Sequence, residues 1–277
     1  MTNPEASVPD RARAAARVAL PPVVAFALVL VAWEAITRLF QVPEYLVPPP
    51  SAVARAARAD ASTLALGALT TARAALTGFV LSAFVGVLAA IVLASSRAVE
   101  RALYPYAVFL QTVPIVAIAP LLVVWFGFGL RAVAVSAFIV SVFPVIANTH
   151  TGLRSVDPAL RDMFRLYGAG RAATLFKLTL PSALPHIVTG LRIASGLAVI
   201  GAIVCEGFAG FSEGAAGLGI LVLSAYRQLR TDLLFAAVLA ATALGLALFG
   251  AVNLLGARVL GRWHPSERAD VIDRSEP

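Results

Sequence analysis

Six stretches of the chain run for about twenty residues with hardly a charge in them, and this pattern narrows the possible folds more than any other feature. A helix crossing the hydrocarbon core of a bilayer needs about 20 predominantly apolar residues, and only helices or closed barrels satisfy their backbone groups there. The runs fall at residues 18–40, 66–95, 103–128, 132–149, 184–208 and 233–255, and the third is expected to be interrupted at Pro105, Pro114 and Pro120. What remains of the 277 residues leaves little for a separate soluble domain. Only 13% of the chain is charged, against about 25% in soluble domains, and its mean hydropathy is +0.87. The expected fold class is therefore all-α, a polytopic membrane protein of six spans.

Where the cations fall sets the expected orientation. Arg11, Arg13 and Arg17 precede the first run; Arg97 and Arg101 lie between the second and third, and Arg154, Arg161, Arg165, Arg171 and Lys177 between the fourth and fifth. Arg258, Arg262 and Arg268 follow the last. By the positive-inside rule these ends face the cytoplasm, as do both termini. The opposite loops, "FGFGLR" and "GFAGFSEGAAGLG", are rich in glycine, though Arg55, Arg58, Arg227 and Arg230 also fall on that side. Clustering at span ends makes the net charge of +7 a mark of membrane topology and lipid contact rather than of nucleic-acid binding. The chain divides into an N-terminal cytoplasmic segment (1–17), a transmembrane domain (18–257) and a tail (258–277). The first run resembles a secretory signal at its basic start, but Glu34, Arg38 and the lack of a small-residue cleavage site favour an uncleaved span. After it, prolines 48–50 delay any helix until a short alanine- and arginine-rich surface segment begins.

The loop 150–183 is long for a connection between spans and calls for a purpose. Asp157 followed by Pro158 reads as an N-cap and first helical residue, and Gly168 as a helix end. Gly170 can begin a second short helix that Pro181 stops before the fifth span. Met163, Phe164 and Tyr167 would form an exposed apolar and aromatic patch. Such a segment could lie on anionic lipid or dock a cytoplasmic partner.

The spacing of Asp162, Gly168, Leu178, Leu180 and Pro181 resembles the loop that marks inner-membrane permeases of bacterial ABC importers. "GLRSVDPAL", "LPSALPHIVTGLRIA" and "QTVPIVAIAPLLVVWFGFG" are similar to the nitrate, sulfonate, taurine and thiamine-precursor branch of that family, and the resemblance covers about 48–264. It implies the type I importer permease fold, in which this loop docks a separate ABC ATPase subunit. The loop residues so marked are Asp157, Asp162, Met163, Phe164, Arg165, Tyr167, Gly168, Leu180 and Pro181. Asp162-Met163-Phe164 departs from the Glu-Ala-Ala usual there, implying a partner groove of altered shape. The resemblance further implies an extracytoplasmic solute-binding protein and a homodimer of permeases in the bacterial inner membrane. No G-x-x-x-x-G-K-[ST] occurs, so ATP and its Mg²⁺ belong to the partner and the chain itself is expected to bind no cofactor and catalyse nothing. "IAPLLVVWFGFG" and "VIGAIVCEGFAG" lean towards pyrimidine or flavin-precursor permeases over sulfonate, taurine or nitrate ones.

Several other motifs carry less. "GAGRAA" matches a dinucleotide fingerprint without the strand it requires, and "GFSEG" a nucleophile elbow without a histidine in reach. His150, His186 and His264 have no ligand spacing for a metal. Gly190, Ala194, Ala198 and Ala202, like Ser82, Gly86 and Ala90, recur every four residues and can form close helix seams. Glu206 near the outer end of the fifth span is either a gate residue or an interfacial carboxylate meeting water or Arg131. Gln111, Thr112, Trp125 and Asn148 are candidates for the translocation path, or merely satisfy backbone freed by nearby prolines. Arg73 and Arg192 are expected near span ends, where they can snorkel. An ion-coupled secondary transporter is the alternative class, as is a non-transport scaffold.

Overall fold

The computed structural model describes residues 8–209 and 216–260. The expected tail lies outside them from residue 261, with His264, and so do 210–215, with the "GFSEG" motif, and the first seven residues. All regular structure among the described residues is helical: α1 (Val8–Leu39), α2 (Pro50–Ala59), α3 (Ala61–Ala94), α4 (Arg97–Thr112), α5 (Ile115–Phe126) and α6 (Leu130–Arg154), then α7 (Pro158–Leu166), α8 (Arg171–Thr174), α9 (Leu180–Ala209), α10 (Leu218–Arg227) and α11 (Thr231–Leu260). Among the described residues five stretches are long and apolar enough to cross a membrane, and α4 with α5 makes a sixth if that bent pair counts as one span.

The described residues form two compact units: residues up to Ala61 with Ala225–Ala236, and Ser62–Ser224 with the residues from Ala237. In the first, Glu34 of α1 accepts the Ser51 backbone N–H at 3.0 Å and the Ser51 hydroxyl at 2.8 Å, which caps the start of α2. Asp60 at the other end of α2 pairs with Arg230, and Trp33 meets Phe235 with ring centroids 5.6 Å apart.

In the second unit α6 and α9 make the most extensive helix pair, and α5 packs on both. Small residues allow the approach. Gly190, Ala194, Ala198 and Ala202 are all buried. A Cβ at Gly190 would stand 2.9 Å from the Pro144 carbonyl oxygen, and one at Gly201 3.0 Å from the Ala137 Cα. The Ser136 hydroxyl donates across the pair to the Gly201 carbonyl at 2.7 Å. The stripe of Ser82, Gly86 and Ala90 on α3 is buried as well. Larger apolar side chains such as Leu81, Phe84 and Leu88 point outward, as lipid-facing helices require.

Two expectations are corrected. Of the prolines in the third run, Pro105 and Pro120 sit inside helices, and only Pro114 breaks the chain, between α4 and α5, which meet at 96°. Pro114 serves as N-cap of α5, where its missing N–H removes nothing. Pro181, expected to stop the second short helix, does not: helix is continuous from Arg171 to Ala209 over 39 residues. A π-turn at Leu175–Thr179 lies immediately before Pro181. Proline lacks the donor and clashes with the carbonyl four residues back, and widening the turn just ahead of it relieves both.

Candidate functional site

The loop between α6 and α9 is built on a capped helix tied to the end of α6. Asp157 accepts the Ala159 N–H at 2.8 Å and Pro158 opens α7, so the helix starts where the sequence places it. It ends at Gly168, whose φ of +70° few side-chain-bearing residues adopt. Arg161 donates to the Leu153 carbonyl at 2.8 Å, which ties α7 to the last turn of α6. That turn is held in its own right, since Glu100 of α4 pairs with Arg154 and lies 3.3 Å from His150 Nε2.

The tip is apolar and open. Tyr167 is 84% and Leu166 87% exposed, and Met163 and Leu160 are exposed beside them. Phe164, expected in this patch, is half-buried, and Leu166 takes its place. Asp162 and Arg165 are exposed and face each other at 3.6 Å. Leu180 and Pro181 are half-buried within the continuous helix, so they position the loop rather than contribute to its tip.

Glu206, at the far end of α9, is 3% exposed. Burying a carboxylate is costly unless its oxygens find donors. Thr71 of α3 donates its hydroxyl at 2.9 Å, and the Gly219 backbone N–H donates at 2.8 Å. The Leu218 N–H in turn donates to the Thr71 hydroxyl oxygen at 2.9 Å. Glu206 and Thr71 together therefore cap the start of α10, and the positive end of that helix offsets the carboxylate. Its partners are these groups, and Arg131, an expected alternative, is not among them. A cavity of about 60 Å³ adjoins the carboxylate, lined by Ala74, Gly129, Val133 and Gly217 among others.

The remaining candidates do not gather into one site with Glu206. The Thr112 hydroxyl donates to the Phe109 carbonyl at 2.8 Å and the Asn148 amide to the Pro144 carbonyl at 2.9 Å, both within their own helices. Gln111 and Trp125 are exposed, the latter because α5 turns Ala119, Leu122 and Val123 inward. Arg192 is not at a span end: it sits mid-way along α9, half-buried, and its Nε is buried with no hydrogen-bond partner. Thr71, Leu218 and Gly219 were missed; only the apolar run containing Glu206 hinted that such partners must exist.

Residues 82–261 match the family described as the binding-protein-dependent transport system inner membrane component, which is more than half of the chain. The chain belongs to this family. The permease is 35% identical over 85% of its length to a probable ABC transporter permease protein of Haemophilus influenzae, covering 95% of that protein. It is 34% identical to the formylaminopyrimidine transport permease protein of Halalkalibacterium halodurans, over 86% of this chain and 93% of the relative. With the riboflavin transport system permease protein of Chloroflexus aurantiacus it shares 35% identity over 96% and 99%. The permease is thus a non-catalytic, multi-pass inner-membrane subunit of an ABC transporter; ATP hydrolysis lies with a separate ATPase subunit, and a solute-binding protein completes systems of this family. Family membership replaces both the ion-coupled transporter and the scaffold as readings of this chain.

Proposed function

We propose that two copies of this permease form the membrane path of an ATP-driven importer for a small solute, and that α7 with the turn at Gly168 is the seat of the ATPase. The carrying observation is the exposed tip of α7: a capped helix anchored by Arg161 presents Leu166 and Tyr167 to solvent at the spacing that marks the coupling loop. Large exposed apolar side chains on an ordered helix are the usual anchors of a partner groove. In this reading the α7 end faces the cytoplasm with both termini, which the cations near it favour. ATP and Mg²⁺ act on the partner.

The outward face of α5, with Val116, Val124 and Trp125 exposed, is the surface on which a second copy would close the path, and Gln111 and Thr112 stand beside it. Pyrimidine or flavin precursors are the favoured solutes over sulfonate-, taurine- or nitrate-like anions. Two relatives named for formylaminopyrimidine and riboflavin align along nearly the whole chain, which supports that preference.

Purification of the tagged permease from its native membrane in mild detergent tests the coupling role. A P-loop ATPase should accompany the wild type and be lost with Gly168→Trp, whose open surroundings exclude a steric collapse of the core. Retention of the ATPase by Gly168→Trp and by Tyr167→Ala together would sink the assignment.

A further inference from the structure

Behind α7 the second unit holds an open-mouthed cavity of about 600 Å³, distinct from the exposed tip of α7. Its inner wall is apolar, made by Ile91 and Ala94 in the last turn of α3 and by Leu153 and Leu175. Arg154, Arg161, Arg165 and Arg171 line it as well, beside Ser95, Thr174 and Thr179, and among the described residues no carboxylate joins the lining. Glu100 pairs with Arg154 and Asp162 with Arg165, whereas among the described residues Arg161 meets a neutral carbonyl and no carboxylate. Among the described residues, four cations against two carboxylates leave an excess of positive charge at the rim of an apolar hollow.

The level of the cavity matters as much as its charge. Its apolar wall is the end of a span whose outward side chains face lipid, so the rim lies where such a helix leaves the hydrocarbon and phospholipid phosphates begin. Cationic hollows between spans at this level suit acidic headgroups, and arginine forks suit phosphate oxygens. A dissolved anion would use the rim and leave the apolar wall bare; a phospholipid uses both.

We propose that this cavity seats an anionic phospholipid, its phosphate on Arg161 and Arg171 and its glycerol and first acyl carbons against Ile91 and Leu175. The site goes beyond the docking of the ATPase and does not depend on it.

The test uses the permease purified with its transporter partners in mild detergent, and measures binding of short-chain phosphatidylglycerol, short-chain phosphatidylcholine and inorganic phosphate by native mass spectrometry. Phosphatidylglycerol should bind and phosphatidylcholine should not. Arg171→Gln should weaken binding about tenfold, the scale of one lost charge-assisted hydrogen bond. Ile91→Trp, which fills the apolar wall and leaves every charge in place, should weaken it as well. Equal binding of the two lipids, or an unchanged affinity in Arg171→Gln, overturns the proposal. Displacement by inorganic phosphate with no effect of Ile91→Trp also overturns it, in favour of a free-anion site. Co-purifying ATPase is scored in the same samples, so loss of docking with lipid binding intact counts against the coupling role alone.

Discussion

Gly219 donates its backbone N–H to the Glu206 carboxylate at 2.8 Å, so a side chain rooted in the last turn of α9 fixes where α10 begins. Glu34 does the same for α2 through the Ser51 N–H. In each case a carboxylate that looks misplaced in an apolar run answers the orphan donors of a short helix. Glu206→Ala should therefore destabilise the permease by about 1–3 kcal/mol, the cost of leaving a buried donor unmet. Glu206→Gln keeps an acceptor and should cost less than half as much. Thermal unfolding in detergent gives the comparison; a Gln variant of normal stability that no longer transports would instead show that the carboxylate charge itself is used.

Thr71 both donates to Glu206 and accepts from Leu218, so Thr71→Val removes two bonds with little change of shape. We predict a loss of about 1–3 kcal/mol, strongly non-additive with Glu206→Ala because the two residues share one network. Additive losses in a double-mutant cycle would break the link between them.

Gly201 and Gly196 lie on the same helix and should respond in opposite ways. A Cβ at Gly201 meets the backbone of α6 at 3.0 Å, whereas one at Gly196 meets nothing within 4 Å. Gly201→Val should abolish accumulation of folded protein. Gly196→Ala should stabilise by about 0.5–1 kcal/mol through helix propensity. Expression level and melting temperature of the two variants decide the matter.

Arg192 is a cation part-way along α9 with an unpaired buried Nε. Insertion scales charge about 2.5–3.5 kcal/mol for such a residue at the centre of a span, so it is kept for use rather than for stability. Arg192→Met should fold as well as the wild type or better and lose solute uptake. Normal uptake by that variant would remove Arg192 from the transport path.

Long-range partners are what the linear order conceals. Apolar runs placed α3, α6, α9 and α11 to within several residues, and Asp157, Pro158 and Gly168 marked both ends of α7, because span length and capping are local requirements. Proline effects were only half legible: Pro105 and Pro120 look like Pro114 in sequence, and only packing of α5 on α6 and α9 selects which of them bends the chain. The helix Leu218–Arg227 has no local signal in the glycine-rich segment before it, and Thr71, far away on α3, supplies the acceptor that begins it. Phe164 and Leu166 exchanged roles for a similar reason, since the tether from Arg161 to Leu153 sets which face of α7 turns outward.

The uninterrupted helix from Arg171 to Ala209 makes a lever of the fold. At 1.5 Å per residue it is about 58 Å long, so tilting one end by about 5° carries the other through about 5 Å. Gly190 and Gly201 hold it close against α6, so a tilt of one helix carries the other with it. The Arg171 end adjoins the loop that projects from the bundle, and the opposite end carries Glu206 and its grip on α10. Mechanical advantage of this kind needs no chain of rotamer changes to connect a push at one membrane face with an opening at the other.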